Sequence, residues 1–543
     1  MSTIKRCVYV ILPLALVVLF SFGQQAVESS RLTSDHRSDV ATRWFELQLT
    51  LILKTPGFSP PVASRALGYS SVALYEAVVG GMPDHNSLVG QLNELDWLPQ
   101  PDAGRAYNWE AVANSALANI TRDLYPGASA ENTAAINTLE GSLDAQYRAE
   151  SDNDVFNRSD AYGKIVAEAV FGWSKSDGAC VANSSCSQQT YYPPTGLGMW
   201  VPTPPAHQSA LLPYWGENRP FVLSSGRACP PVPPVPYSEE PSSPYYAAAM
   251  EAYTTVKNLT PEERAIALFW ADDAGKTFTP PGHFVSIATQ VLRNEDGNLA
   301  LAAETYARVG IAVADSFIVC WNAKYTYNAM RPITYIKSVI DPTWDSPDVT
   351  DPVITPPFPE YTSGHSVQSM AAATVLTALF GDGYHFTDNT DLAWGRPPRS
   401  FDSFYAAAEE AAISRLYAGV HYRPAIEAGV TQGQCIGAKV NALDWLRNPY
   451  PQLETSTMTL VLKCSTPDSS GNVTFSWSVP AGESAGLLYQ WKLTGNDADW
   501  SSWESTTRTA YAGLPRGTYQ FCVRAMDEKG DVSPDSCCSF TVH

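Results

Sequence analysis

Apolar residues recur every three to four positions through most of the chain, from about residue 39 to residue 447. This period places them on one face of a helix. It predicts seven helices, over Ala66–Ala77, Trp109–Leu124, Ala161–Trp173, Pro261–Trp270, Leu299–Asn328, Val367–Leu379 and Phe404–Tyr417. Between Ser174 and Pro244 the period is lost, and this Pro-, Gly- and Tyr-rich stretch predicts a long loop wrapped over the helices. Trp200, Trp215 and Phe221 favour a packed loop.

A second pattern begins near residue 457, where apolar and polar residues start to alternate. Short strands are predicted over Thr457–Cys464, Asn472–Val479, Leu488–Thr494, Gly517–Ala525 and Ser536–Val542. Such a series of short strands is typical of a β-sandwich of the immunoglobulin or fibronectin type III kind. The predicted fold class is therefore mainly α, with a helical domain over residues 30–450 and a small C-terminal β-sandwich over residues 457–543.

The last two predicted strands suggest two disulfide bridges. A hairpin turning at residues 527–530 places Cys522 opposite Cys537, while Cys464 and Cys538 fall on apolar faces. We therefore expect the bridges Cys522–Cys537 and Cys464–Cys538.

The first 26 residues resemble a secretory signal. Lys5 and Arg6 precede an apolar run over Cys7–Phe22, and small residues follow it. An uncleaved membrane anchor is the alternative, but the run is short for a bilayer span and contains Pro13. We expect a secreted protein, extracellular or periplasmic if bacterial, with no transmembrane span after cleavage.

The remaining cysteines fit an oxidising compartment. Cys180 and Cys186 lie in a polar, Ser-rich stretch and are expected to pair. Cys320 and Cys435 lie in apolar, helix-like runs, which favours buried free thiols.

The charge excludes one broad class of function. The 543 residues carry 35 Lys and Arg against 55 Asp and Glu, a net charge of −20. Binding to a nucleic-acid backbone requires a basic face, so no nucleic-acid partner is expected.

Within this acidic chain, three short segments concentrate cations and histidines. In the first, Lys324 and Arg331 are seven residues apart, which predicts that both project from one helix face before Pro332. Taken alone, these are ordinary cations at a helix end.

The second segment contains Ser363, Gly364 and His365 just before an apolar helical run. Thr362 or Ser363 can cap that helix, whose first N–H groups then form an anion site. Taken alone, this is an ordinary capping turn.

The third segment contains Arg415, Gly419 and His421. A spacing of six keeps Arg415 and His421 off one helix face, so we expect a break at Gly419 to turn His421 back. Taken together, the segments supply three cations, a helix N-terminus and two imidazoles, a set suited to a tetrahedral oxyanion.

The order Lys-x6-Arg-Pro, Ser-Gly-His, Ser-Arg-x3-Gly-x-His resembles the vanadium-dependent haloperoxidase family, which shares its pocket with type 2 phosphatidic acid phosphatases and bacterial acid phosphatases. The resemblance covers about residues 40–450 and includes Trp44, residues 56–69, Trp200–Pro205 and Phe269–His283. It implies a helical-bundle domain of the haloperoxidase/acid phosphatase kind.

The resemblance also implies roles for individual residues. His421 matches the histidine that bonds vanadium. The residues that match hydrogen-bond donors to vanadate are Lys324, Arg331, Ser363, Gly364 and Arg415. The expected catalytic residues are His365 as acid–base, Lys324 as donor to bound peroxide, and Asp272 (or Asp273) as the carboxylate that orients Arg415. Trp321 and Phe358 match the halide pocket, and His283 is expected to be structural.

The implied activity is oxidation of iodide, bromide or chloride by hydrogen peroxide to hypohalous acid, with vanadate (vanadium +5) as cofactor. A small organic halogen acceptor is compatible with this chemistry, and the sandwich shows no recognisable ligand. An acid phosphatase with His421 as nucleophile is the alternative. Ala425 argues against it, because the phosphatases carry an aspartate there; in the peroxidase reading we expect a carbonyl or water beside His421. A non-enzymatic extracellular module is a third reading.

Overall fold

The longest of the described helices, α9 (Leu299–Tyr327), carries apolar residues on every face and is buried along nearly its whole length. A helix of this composition belongs in the centre of a bundle. The computed structural model describes residues 30–179, 191–344, 355–447, 460–479, 487–494, 500–526, 533 and 535–542. These residues form two compact units, one made of the chain up to Met82 with Ser87–Leu443, the other of Pro83–Asn86 with Asp444–His543.

The first unit is a bundle of thirteen helices, counted over the described residues. They are α1 (Asp39–Lys54), α2 (Pro60–Val78), α3 (Trp109–Leu124), α4 (Ala130–Ala149), α5 (Asn153–Ser174), α6 (Pro244–Lys257), α7 (Pro261–Phe269), α8 (Thr279–Asn294), α9, α10 (Pro332–Tyr335), α11 (Gly364–Phe380), α12 (Phe404–Tyr417) and α13 (Arg423–Asn441). A short hairpin of β1 (Phe386–Asp388) and β2 (Arg399–Phe401) follows α11.

Close packing around α9 depends on small residues. A Cβ atom at Gly310 would lie 2.1 Å from Ser71 Oγ of α2, so only glycine allows these two helices to approach so closely. On the far side of α11, a Cβ atom at Gly433 of α13 would lie 2.3 Å from the Val367 carbonyl oxygen. The helices that carry the site are thus held at short distance.

The long loop is confirmed in its described part, since residues 191–243 contain no α-helix and no strand. Trp200, Trp215 and Phe221 are buried, as predicted. Asp315 of α9 holds this segment, because its carboxylate accepts hydrogen bonds from the main-chain N–H groups of residues 221, 222 and 223 at 2.6, 3.0 and 3.1 Å. Main-chain donors therefore attach the loop to the central helix.

All seven predicted helices are present, with ends that differ by up to eight residues, the largest difference being the start of α5. Six further helices were not predicted: α1, α4, α6, α8, α10 and α13. The sequence of α8 begins Thr-Pro-Pro-Gly, which predicts a turn, yet prolines are tolerated in the first turn of a helix. The sequence of α13 contains three glycines, which weaken its helical propensity but permit its contact with α11.

The second unit contains two three-stranded antiparallel sheets. Its strands are β3 (Val461–Cys464), β4 (Val473–Ser478), β5 (Leu488–Thr494), β6 (Arg508–Tyr511), β7 (Gly517–Met526) and β8 (Ser536–Val542), in the orders β3-β4-β6 and β5-β7-β8. β6 was not predicted. Phe475 of one sheet stacks on Phe521 of the other at 3.8 Å between ring centres. A small C-terminal β region is confirmed, and its relation to the immunoglobulin or fibronectin type stays a prediction.

Two bridges in this unit are as predicted: Cys464 pairs with Cys538, and Cys522 pairs with Cys537, its register partner. The predicted turn over residues 527–530 lies outside the described residues.

In the helical unit, Cys320 is a buried free thiol as predicted. The prediction for Cys435 is wrong, because it is bridged to Cys229 of the long loop. The apolar, helix-like run around Cys435 predicted an inert thiol, but its partner lies 206 residues away in sequence, where spacing gives no signal. The predicted Cys180–Cys186 pair and the signal segment lie outside the described residues. No helix within the described ranges has both the length and the apolar character needed to cross a membrane.

Candidate active site

One cavity of about 600 Å³ collects most of the predicted site residues, although they are far apart in sequence. Those that line it are Asp272, Trp321, Phe358, Gly364, His365, Arg415 and His421. Lys324, Arg331 and Ser363 are fully buried and contact this set. The structure therefore brings all the predicted residues together, while their catalytic roles remain predictions.

Lys324 and Arg331 reach the site by a route that differs from the prediction. Helix α9 ends at Tyr327, and Asn328 takes the left-handed conformation with φ +45°. Arg331 then precedes α10. The two cations do not project from one helix face, because the helix ends between them. Both nevertheless lie 5.0 Å from the ring centre of Phe358, which places them side by side.

Lys324 is held by main-chain oxygens. Its Nζ donates to the carbonyl oxygens of Pro359, Glu360 and Thr362 at 3.0 Å or less. Burial lowers the pKa of Lys324 to about 7. The ammonium group is thus fixed against the segment that leads into α11.

Arg331 spans the space between that segment and His421. Its Nε donates to the Phe358 carbonyl oxygen at 2.9 Å, and its Nη1 donates to the Val420 carbonyl oxygen at 2.7 Å and to His421 Nε2 at 3.2 Å. Burial lowers its pKa to about 10, so the guanidinium stays charged at neutral pH.

The N-terminus of α11 is capped by Ser363, one of the two predicted candidates. Its Oγ accepts a hydrogen bond from the main-chain N–H of Ser366 at 3.4 Å. Gly364 lines the cavity, and a Cβ atom there would meet no described atom closer than 3.8 Å. The space beside this helix N-terminus is therefore open to an anion.

The predicted break near Gly419 is present. Helix α12 ends at Tyr417 with Arg415 in its last turn, and Gly419 has φ +66°. A Cβ atom at Gly419 would lie 2.9 Å from Val256, so both conformation and space favour glycine. This turn brings His421 into the cavity that Arg415 also lines.

A carboxylate that was not predicted fixes His421. The imidazole Nδ1 lies 2.9 Å from Glu360 Oε1, which also accepts from the Tyr422 main-chain N–H at 3.0 Å. The expectation of a carbonyl or water beside His421 is therefore wrong. Burial first, and then Arg331 and Lys324, hold the pKa of His421 well below its usual value. A neutral ring with its proton on Nδ1 leaves a lone pair on Nε2, the form that a metal ligand requires.

Glu360 was not predicted as a site residue, although it lies between Phe358 and Ser363, which were. It is 2 % exposed, and burial raises its pKa from 4.5 to about 7. An acidic residue between Pro359 and Tyr361, in an otherwise uncharged stretch, was the signal available.

Three buried nitrogen atoms around His421 have no hydrogen-bond partner among the described residues. They are Arg331 Nη2, His365 Nε2 and Arg415 Nε. Unpartnered buried polar atoms are costly, and their convergence on one cavity is what an oxyanion site requires. The donor set thus fits a bound tetrahedral oxyanion such as vanadate.

Asp272 contacts histidines rather than the arginine it was expected to orient. Its carboxylate accepts from His283 Nδ1 at 3.0 Å, and its Oδ2 lies 4.0 Å from His365 Nε2. Arg415 Nη1 instead donates to the Trp270 carbonyl oxygen at 3.0 Å. Among the described residues, Asp272 makes no hydrogen bond to Arg415. Its negative charge raises the pKa of Arg415, but less than the charge of Asp273 does.

His365 is held neutral by its surroundings. Burial, then Arg415, then the charge of His283 keep its pKa well below the usual value. A neutral imidazole with a free Nε2 is prepared to accept a proton.

Two aromatic rings form one wall of the cavity. Trp321 and Phe358 pack with ring centres 4.8 Å apart, and the Trp321 indole N–H donates to the Leu211 carbonyl oxygen of the long loop at 3.2 Å. Lys324 Nζ and Arg331 Cζ each lie 5.0 Å from the Phe358 ring centre, so this wall joins apolar surface to positive charge, a combination suited to a small polarisable anion.

Comparison with known proteins identifies the family. Residues 304–444 match the VCPO second helical-bundle domain, and residues 481–543 match the Y_Y_Y domain. A solved structure described as the first bacterial vanadium-dependent iodoperoxidase is 39 % identical, with a TM-score of 0.68 over 76 % of this chain and 97 % of that one.

More distant relatives share the fold. The vanadium chloroperoxidase of Curvularia inaequalis is 22 % identical over 470 residues, which are 69 % of this chain and 77 % of that protein. A holo-type bacterial vanadium-dependent chloroperoxidase is 15 % identical with a TM-score of 0.54, over 72 % of this chain and 94 % of that one.

The fold is a helical bundle, and its cavity carries a set of buried donors that suits an oxyanion. The chain belongs to the vanadium-dependent haloperoxidase family of oxidoreductases. The family resemblance inferred from the sequence is confirmed, and these homologues imply a vanadate cofactor.

Proposed function

We propose that this protein is a vanadate-dependent haloperoxidase that uses hydrogen peroxide to oxidise halide to hypohalous acid. The observation that carries the proposal is the convergence, at and beside one cavity, of His421, whose unprotonated Nε2 lies 3.2 Å from Arg331 Nη1, with three buried nitrogen atoms that have no partner among the described residues. The 39 % identical iodoperoxidase supports iodide as a substrate, and iodide is the halide that is easiest to oxidise.

The residues present fit vanadate. Its metal would bond to Nε2 of His421, and its oxygens would face Arg331, Arg415 and the N–H groups at the start of α11. When bound, vanadate supplies a Lewis acid that activates peroxide toward a halide without changing its own oxidation state. Three cations offset the charge of such an anion, and burial makes each contact stronger than it would be in water.

His365 handles the protons in this proposal. Its unpartnered Nε2 accepts a proton as peroxide enters, and Asp272 at 4.0 Å stabilises the imidazolium that results. Lys324 contributes positive charge beside the same space. Trp321 and Phe358 guide the halide, since their rings exclude water from the approach.

One argument against the phosphatase alternative no longer holds, although the peroxidase is still favoured. The carboxylate of Glu360 supplies His421 with the partner that Ala425 does not, so the absence of an aspartate at position 425 no longer excludes a nucleophilic histidine. The peroxidase is favoured by its relatives and by the aromatic wall. We further propose that the protein is exported, consistent with its disulfides.

The decisive experiment measures halide oxidation by the purified protein with and without orthovanadate. Iodide, bromide and chloride are tested separately with peroxide, beside hydrolysis of an aryl phosphate. We expect vanadate-dependent oxidation of iodide at least, lost in His421→Ala. Absence of oxidation of every halide, with vanadate-inhibited phosphate release instead, would establish the phosphatase.

A further inference from the structure

His283 lies at the centre of a buried group that the proposed mechanism does not use. It belongs to α8 and is 0 % exposed. Its Nδ1 is 3.0 and 3.1 Å from the two carboxylate oxygens of Asp272, and its Nε2 is 2.8 Å from Asp388 Oδ2. Each ring nitrogen thus faces a carboxylate.

Carboxylates at both nitrogens require protons at both nitrogens. Carboxylates accept hydrogen bonds and do not donate them when ionised. Burial opposes the charged form, but attraction by Asp272 and Asp388 outweighs it and holds the pKa of His283 well above its usual value. The ring is therefore an imidazolium that bridges two carboxylates.

The remote end of the bridge is fixed independently. Asp388, at the end of β1, accepts from the main-chain N–H and the hydroxyl of Thr390 at 2.9 and 2.6 Å and from Gln290 Nε2 at 3.2 Å. The Trp270 indole stacks on the His283 ring at 4.5 Å between centres. The stacked indole thus fixes the plane of the imidazolium ring, and the anchored Asp388 carboxylate fixes the position of its Nε2.

The near end of the bridge faces the active site. Asp272 has φ +48°, and its Oδ2 lies 4.0 Å from the unpartnered Nε2 of His365. His283 Nδ1 contacts both oxygens of this carboxylate, at 3.0 and 3.1 Å. Without these hydrogen bonds, the Asp272 side chain could rotate its carboxylate away from His365.

We propose that His283 is a positioning residue, an imidazolium bridge between Asp388 and Asp272 that holds the Asp272 carboxylate toward His365. The proposal rests on the proposed function, because His365 is the acid–base there. It extends the site to α8 and β1, beyond the three motif segments. The sequence prediction of a structural role for His283 is thereby made specific.

A bound cation is the competing explanation. Asp272, His283 and Asp391 together have ligand atoms close enough to hold a metal ion, and Asp391 Oδ1 has no partner among the described residues. However, Asp391 is already paired with Arg396, and both nitrogens of His283 are engaged. The His283 imidazolium and the Arg396 guanidinium already offset two of the three negative charges of Asp272, Asp388 and Asp391. This favours a second proton on His283 over a bound metal ion.

The first test uses the resting wild-type protein and needs no activity. With histidine labelled by ¹⁵N, we expect one buried histidine to show two protonated ring nitrogens up to pH 8, assigned through its loss in His283→Gln. Metal analysis of the same sample is expected to show no stoichiometric ion. A neutral His283, or one equivalent of metal lost in His283→Gln, would overturn the proposal.

The second test compares two variants whose charges change in opposite directions. His365 is faced by Asp272, Arg415, Lys324, His421 and, through Asp272, His283. Asp388→Asn removes a negative charge and should move the acid limb of kcat/KM for peroxide to lower pH by about half a unit. His283→Gln removes a positive charge and should move that limb to higher pH.

Controls separate positioning from folding and from the proposed function. Vanadate affinity, measured by calorimetry, should change less than about threefold in both variants, because neither contacts His421. His36→Gln, which alters another buried histidine–carboxylate pair (His36 with Glu110, 2.8 Å), should leave the pH profile unchanged. If Asp388→Asn folds, binds vanadate and keeps the wild-type profile and rate, the positioning role is wrong. If neither the wild-type protein nor any variant oxidises halide, the proposed function fails. The ¹⁵N experiment then still decides whether His283 is an imidazolium between the two carboxylates.

Discussion

Glu360→Gln isolates the contribution of the carboxylate that faces His421. The change keeps the size of the side chain and an oxygen that can accept from Tyr422, but it removes the negative charge beside the Nδ1–H group. In wild type that group lies 2.9 Å from Glu360 Oε1 in a fully buried setting. Replacing one charge-assisted hydrogen bond by a neutral one costs about 1–2 kcal/mol.

Loss of this partner should weaken vanadate binding about fivefold to thirtyfold, which overlaps the range of about 10- to 100-fold seen for groups that orient metal ligands. The carboxylate favours the proton on Nδ1, so without its charge the population of His421 with an unprotonated Nε2 decreases. Calorimetric titration of the metal-free protein with orthovanadate measures the dissociation constant directly. Peroxidase activity at saturating vanadate should recover most of its wild-type value.

The matched control is Glu76→Gln in α2. Glu76 is also buried, also has its pKa raised to about 7 by burial, and accepts two hydrogen bonds, from the Leu88 N–H and the Ser87 hydroxyl. It lies outside the cavity, so vanadate affinity should not change. Equal affinities for wild type and a folded Glu360→Gln protein would refute the role assigned to this carboxylate.

Three further changes address other parts of the helical unit. Gly419→Ala, at φ +66° with Val256 2.9 Å from the new Cβ, should lower the free energy of unfolding by about 1–2 kcal/mol and weaken vanadate binding. The control Gly395→Ala (φ +76°, no atom within 4 Å) should affect stability alone. Identical vanadate affinities for the two variants would contradict this. Removing the Cys229–Cys435 bridge by a double Cys→Ala change should cost about 2–5 kcal/mol, seen as a lower urea midpoint, and an unchanged midpoint would show that the bridge does not constrain the unfolded chain. Trp321→Leu should raise the KM for halide several-fold with little effect on the KM for peroxide; a change confined to peroxide would exclude Trp321 from the halide approach.

The motif residues were predictable from their combination rather than from any one segment. Three segments with cations and histidines stand out in an acidic chain, their order resembles a known family, and a Ser-Gly-His turn before an apolar run predicts a capped helix. The sequence could not show how these segments converge. Helix α9 ends at Tyr327, so Arg331 reaches the site through a turn at Asn328 rather than by helical periodicity.

The missed features share a physical cause: each depends on a contact between residues distant in sequence. Glu360 becomes important only when His421, 61 residues later, lies 2.9 Å away. Asp272 was assigned to Arg415 by resemblance, yet His283 and Asp388 determine where its carboxylate lies. The pairing of Cys435 with Cys229 is of the same kind, since no local pattern distinguishes a bridged cysteine in a helix from a free one.

The attachment of the long loop through Asp315 has a consequence for how this site can vary. The carboxylate of Asp315 accepts hydrogen bonds from main-chain N–H groups, which every residue except proline possesses, and it lies six residues before Trp321 on the same helix. These three hydrogen bonds therefore do not depend on which side chains the loop carries at those positions, while the buried Trp200 and Trp215 and the Cys229–Cys435 bridge hold other parts of the loop. Exposed loop residues at the cavity, such as Gln208, can therefore be substituted, and the rim of the cavity changed, while the attachment of the loop to the bundle is kept.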